Sequence, residues 1–165
     1  MVSISKIILD GAVFSVIASV LVVITLRLNP RLWLQDYPQD IQALVPPKTD
    51  KEKRLSLVLG ILFLVLLAAI PLISTLALNR QYQGEISFFS LAINAFGVVF
   101  VFNVVDWLVL DWLMFCAITP GFVVIPGSEG AKGYKDYGFH FRGFLIGTVF
   151  SAVAGLVIGA IVSLL

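Results

Sequence analysis

The chain is poor in three things, and each scarcity closes off a class of function. A single cysteine, Cys116, rules out an internal disulfide, a CxxC redox pair and a cysteine-rich zinc site. A single histidine, His140, rules out bis-histidine haem ligation within one chain. A mixed histidine and carboxylate metal site needs few ligands and stays formally open, but no metal and no cofactor is expected. Charge is the third scarcity. Charged residues make up 13% of the 165 and the net charge is +1, with the basic residues in short scattered clusters, so a nucleic-acid partner is rejected.

Apolar residues fill the space, at 59% of the chain. A soluble domain is about 25% charged, and one of this length could not hide so much apolar surface. The expected fold is all-α: a four-helix transmembrane bundle, with residues 1–165 forming one integral membrane domain. Roughly 20 apolar residues cross a ~30 Å hydrocarbon core. That length sets spans at approximately 7–28, 55–78, 86–107 and 144–165, and leaves 29–54 and 108–143 as long connections.

The first span is interrupted only by Asp10 and Arg27. It reads as a span, because it is too long for a cleaved signal peptide and lacks a clear basic region followed by a small-residue cleavage site. In the first connection, Pro38 to Val45 reads as a short helix with proline in its first turn and Ile41, Leu44 and Val45 on one face. With Leu32, Trp33, Leu34 and Tyr37 it lies on the membrane surface or packs on the bundle. Thr49-Asp50-Lys51-Glu52 matches a capping box, so the second helix starts before the membrane. Pro71 removes a backbone hydrogen bond and should kink that helix. The short turn Asn79 to Glu85 makes helices two and three antiparallel neighbours.

The third apolar run persists from Ile86 to Ile118, which as a helix measures ~50 Å and exceeds one bilayer. Counting about 20 residues from Ile86 reaches Asp106, so the acids there belong near the far interface. Beyond them, Met114 to Ile125 is broken by Pro120-Gly121 and reads as a protruding helix end, an interfacial segment or a partial re-entry. Pro126 to Gly143 reads as a folded glycine-rich loop between helices three and four. If Tyr137 to Arg142 is extended, His140 and Arg142 share one side of it.

The fourth span carries a small residue at every fourth position: Gly143, Gly147, Ser151, Gly155, Gly159 and Ser163. Such a ladder lets a neighbouring backbone come close. Each step of four advances about 40° on a straight helix, so the ladder winds around it. Gly11, Ser15 and Ser19 offer a matching small face on the first helix. Packing within the chain is favoured, with a protein partner or homo-oligomer through the fourth helix as the alternative.

Basic residues set the orientation. Arg27, Arg31, Lys48, Lys51, Lys53 and Arg54 flank or occupy the first connection, and Lys132, Lys135 and Arg142 the third; the other side has Lys6 and Arg80. The positive-inside rule places both long connections in the cytoplasm and both termini outside, in a plasma (inner) membrane.

Polar chemistry gathers in Asn103, Asp106, Asp111, His140 and Arg142. An ionisable residue in a span is a functional hypothesis by default. Asn103 and Asp106 share a face, whereas α-helical pitch sets Asp111 about 140° round from Asp106, which argues against a preformed acid pair. In one reading Asp106 and Asn103 line a cytoplasm-facing cavity closed by His140 and Arg142. In the other, Asp106 or Asp111 pairs with Arg142 or a lysine to anchor the loop, and Trp107 and Trp112 are interfacial belt residues. No phosphate-loop pattern occurs at Gly127 to Gly133, and neither Ser128 with Lys132 nor Asp136 with His140 has a third catalytic member. The expected function is a small binding or transport module that meets membrane lipids. A structural or accessory subunit is the alternative, and a lipid-modifying enzyme the third reading; an enzyme is less favoured.

Overall fold

A computed structural model describes residues 3–165. These form helices α1 (Ile4–Leu28), α2 (Gln39–Leu44), α3 (Asp50–Gln81), α4 (Phe88–Ile118) and α5 (Tyr137–Ser163). All but α2 are long and apolar enough to cross a membrane. No strand occurs among the described residues.

Helix α3 begins where the capping box places it. Thr49 Oγ1 accepts from the Glu52 amide at 3.3 Å, and Glu52 Oε2 accepts from the Thr49 amide at 2.8 Å. Glu52 also accepts from Arg31 Nε at 2.8 Å, while Arg31 Nη2 donates to the Pro46 and Pro47 carbonyls. This clamp ties the first connection to the start of α3. Pro71 is buried inside α3. The N-terminal side chains and the α3–α4 turn lie at the other end, where Ser74 Oγ donates to Asp10 and Asn94 Nδ2 donates to Ser74 and Thr75 at 3.1 Å.

Helix α4 is central: α1 and α5 pack on it rather than on each other. The reason is steric. A Cβ at Gly155 would meet the Ala92 carbonyl oxygen at 2.8 Å and Phe96 Cβ at 2.7 Å, and one at Gly159 would meet Ala92 Cα at 2.8 Å. Gly147 abuts Asn103, and Ser151 is fully buried. The ladder thus works inside the chain over its middle rungs, whereas Gly143 has open space around it and Ser163 is exposed. The small face of α1 does not meet it. Gly11 packs on Val101 instead, because α4 lies between the two helices.

The two long connections fold onto each other. Leu34, Tyr37, Ile41 and Val45 from the first share a core with Val123, Ile125 and Tyr134 from the third and with Phe115 and Cys116 of α4. Burial of Ile41 (0% exposed) and Val45 (7%) decides between the two readings of this segment: it packs on the bundle, and of its predicted apolar face only Leu44 is turned outward. The Gly133 amide donates to Asp40 Oδ2 at 2.7 Å, joining the connections a second time.

The third connection is shorter than its composition implies. Helix α4 runs on to Ile118, so the protruding helix end is the alternative realised, and it stops at Thr119 in a left-handed conformation (φ 49°) before Pro120. Helix α5 starts at Tyr137, seven residues before the expected span at Phe144, because Asp136 caps it by accepting from the Phe139 amide at 2.9 Å. The extended reading of Tyr137 to Arg142 is therefore wrong; these residues are helical, and the irregular segment runs from Thr119 to Asp136.

Candidate functional site

The site forms where the geometry of α4 changes. From Asp106 to Ile118 the helix adopts the wide π form, with hydrogen bonds from residue i to i−5, as in the Thr119 amide bonded to the Met114 carbonyl at 2.9 Å. Residues five apart then fall on one side. Trp107 and Trp112 meet at 4.7 Å between ring centroids, and Leu110 and Phe115 are both buried toward the bundle. Asp106 and Asp111 likewise line one cavity. The separation of the two acids by α-helical pitch is thus corrected: the pitch itself is different here.

That cavity has a volume of about 690 Å³. Its walls come from Val22 and Leu26 of α1, Phe63 of α3, the wide part of α4, and the stretch of α5 from Phe139 to Phe150. Trp33, Gln35, Asp36 and Tyr37 of the first connection line its mouth. Along α5, His140 and Phe150 are ten residues apart, or about 15 Å of helix. The cavity therefore runs from a polar part near the connections to Ile146 and Phe150, both exposed on the outer surface of the bundle.

At the polar end, His140 is buried, 5% exposed, and its Nδ1 lies 3.0 Å from Asp111 Oδ1. Helix α5 presents His140 there because its capped start turns the histidine toward α4, against the Phe115 ring at 4.8 Å. His140 Nε2 is buried with no hydrogen-bond partner among the described residues, as is Trp107 Nε1. Asp106 has no hydrogen bond or ion pair among the described residues, and Arg142 has no ion pair there. The expected anchoring of Asp106 through Arg142 or a lysine is not what forms. Asp111 holds His140, and Lys135 instead caps α4 through Cys116 and Thr119.

Asn103 lines the cavity wall but spends its amide on α5, donating to the Phe144 carbonyl at 3.1 Å and Thr148 Oγ1 at 3.2 Å. Trp107 stacks on Phe144 at 4.3 Å, and Trp112 donates to the Tyr137 carbonyl at 3.3 Å, so both tryptophans seal α4 to α5.

Sequence reasoning missed Asp36 and Tyr37. Asp36 is open to solvent at its side chain yet surrounded by the walls of the cavity mouth. That loss of bulk water raises its carboxyl above the usual 3.8, Lys48 and the Gln35 amide pull it back, and Asp111 adds to the rise. Burial likewise raises the Tyr37 phenol, which stays protonated and donates to the Val123 carbonyl at 2.8 Å. The available signal was an acid set between aromatics, Trp33 and Tyr37, in a segment read as interfacial.

Among the described residues, four helices long and apolar enough to cross a membrane surround a cavity that has polar and apolar lining. The chain matches no protein-family model, no curated protein and no solved structure.

Proposed function

We propose that this protein is a membrane-embedded binding module that takes one amphiphilic molecule from the bilayer into the cavity. The head lies among Asp36, Asp106, Asp111, His140 and Arg142, and the tail along Ile146 and Phe150. The observation that carries this is the union of both environments in one space. Ligand sites of this kind are mostly apolar with a few convergent polar groups, and about 690 Å³ is ample for a headgroup and the first part of a chain. Exposure of Ile146 and Phe150 at the apolar end supports entry from the side, out of lipid.

The basic residues of both connections support a polar end in the cytoplasmic half of an inner membrane, with both termini outside. A docking role through the fourth-helix ladder is less well supported, since Gly147 to Gly159 already pack on α4. The Asp111–His140 pair favours a second reading, in which the cavity also modifies the head and Nε2 accepts a proton. No serine, threonine or cysteine lines the cavity, so the attacking group in that reading is water or the ligand itself.

Native mass spectrometry after purification in mild detergent tests the binding reading. Ile146→Trp fills the apolar end and should abolish lipid adducts, while Val157→Trp, equally exposed but outside the cavity, should keep them. Equal adducts in both variants would remove the cavity as the binding site.

A further inference from the structure

Two buried ring nitrogens on the cavity wall lack partners among the described residues: Trp107 Nε1, which donates, and His140 Nε2. Because Nδ1 of His140 donates to Asp111, the neutral ring carries its lone pair on Nε2, and that nitrogen has no partner among the described residues although the side chain is buried. The Asp106 and Asp36 carboxyl groups line the same space. Against three carboxyl groups, counting Asp111, the lining has one fixed cation, Arg142. A carboxylate in an apolar surrounding is costly unless a cation or donors meet it. No cation of the chain pairs with Asp106 among the described residues, and a cationic head on a ligand would offset the cost of its burial.

From this we infer that the amphiphile has a primary ammonium head. The inference rests on the binding reading above and names its ligand class. A primary ammonium carries one positive charge and three N–H groups, matching His140 Nε2 and the carboxylates of Asp106 and Asp36. A quaternary ammonium carries the charge but no N–H, and an anionic head adds to the negative charge already present. Two sources share this chemistry: a diacyl phospholipid whose ammonium follows a phosphate, and a single-chain amine with no phosphate. Arg142, at the exposed rim, separates them, because only the first gives it an anion to hold.

The test uses the full chain and three phospholipids of identical acyl chains, with ethanolamine, choline or glycerol heads, plus a long-chain primary amine, each titrated by native mass spectrometry. Ethanolamine lipid should bind about tenfold more tightly than choline or glycerol lipid, the discrimination expected of hydrogen bonds to a charged group. Asp106→Asn should erase most of that preference while lipid still binds. If this variant does not fold, Asp36→Asn at the open mouth should reduce the same preference. Arg142→Gln should weaken ethanolamine lipid and leave the long-chain amine unchanged if the phospholipid is the source; equal effects on both point to the simple amine. Indifference among the three phospholipids, or preference for glycerol lipid, overturns the ammonium assignment and leaves the cavity reading standing. Adducts untouched by Ile146→Trp overturn the cavity reading first.

Discussion

His140 Nδ1 and Asp111 Oδ1 lie 3.0 Å apart, joining the first turns of α5 to the wide part of α4 inside the cavity wall. Asp111→Ala leaves a buried ring N–H without an acceptor and should cost about 1–3 kcal/mol. Asp111→Asn keeps an acceptor in place and removes repulsion on Asp36, so its cost should be clearly smaller. Thermal unfolding in detergent compares the two. Equal losses would mean that the pair contributes through charge or packing and not through this hydrogen bond.

The ladder gives two substitutions with opposite signs. Gly159→Ala drives a Cβ to 2.8 Å from the Ala92 backbone, which cannot rotate away, and should destabilise by about 1–3 kcal/mol. Gly143→Ala meets nothing within 4 Å and should be neutral or stabilise by up to about 1 kcal/mol through helix propensity. Melting temperatures of the two variants in one detergent decide it; a loss at Gly143 as large as at Gly159 would contradict the packing described.

Asp36 makes stability depend on pH. Its carboxyl is raised in the folded chain, so the fold holds that proton more tightly than the unfolded chain does. The corresponding stability is present below the usual 3.8 and is lost as pH rises through the folded value. Asp36→Asn should flatten that part of a plot of melting temperature against pH. An unchanged slope in the variant would assign the pH dependence to other groups.

Orientation is open to a labelling test. Cysteine at Lys132, exposed in the third connection, should react with an impermeant maleimide only after the membrane is permeabilised, whereas cysteine at Gln83 should react from outside. Native Cys116 is fully buried and should stay silent in both. The opposite pattern inverts the protein in the membrane.

Much of this architecture was legible in the sequence for simple reasons. Apolar runs of spanning length, the Thr49–Glu52 box and the small-residue ladder are local patterns, and each appears where its spacing places it. The start of α5 was not legible, because aromatic alternation over Tyr137 to Arg142 fits a strand as well as a helix, and the Asp136 cap lies inside a glycine-rich stretch. The site was half visible. Asp106, Asp111, His140 and Arg142 do line one cavity, but Asp36 enters through contact between two connections distant in sequence. The His140 partner was missed for a different reason: the rotation of Asp111 depends on hydrogen bonds that composition does not encode.

Between Asp106 and Ile118 the outward residues are Leu108 and Val109, then Leu113, then Ala117 and Ile118. A substitution scan through this stretch should therefore rise and fall with an interval of between four and five residues, longer than an α-helix gives. Deleting a single residue between Asp106 and Asp111 would let the coil tighten, and every side chain beyond the deletion would swing around the axis. Asp111 would leave His140 behind, so the length of this segment is as much a part of the site as the residues in it.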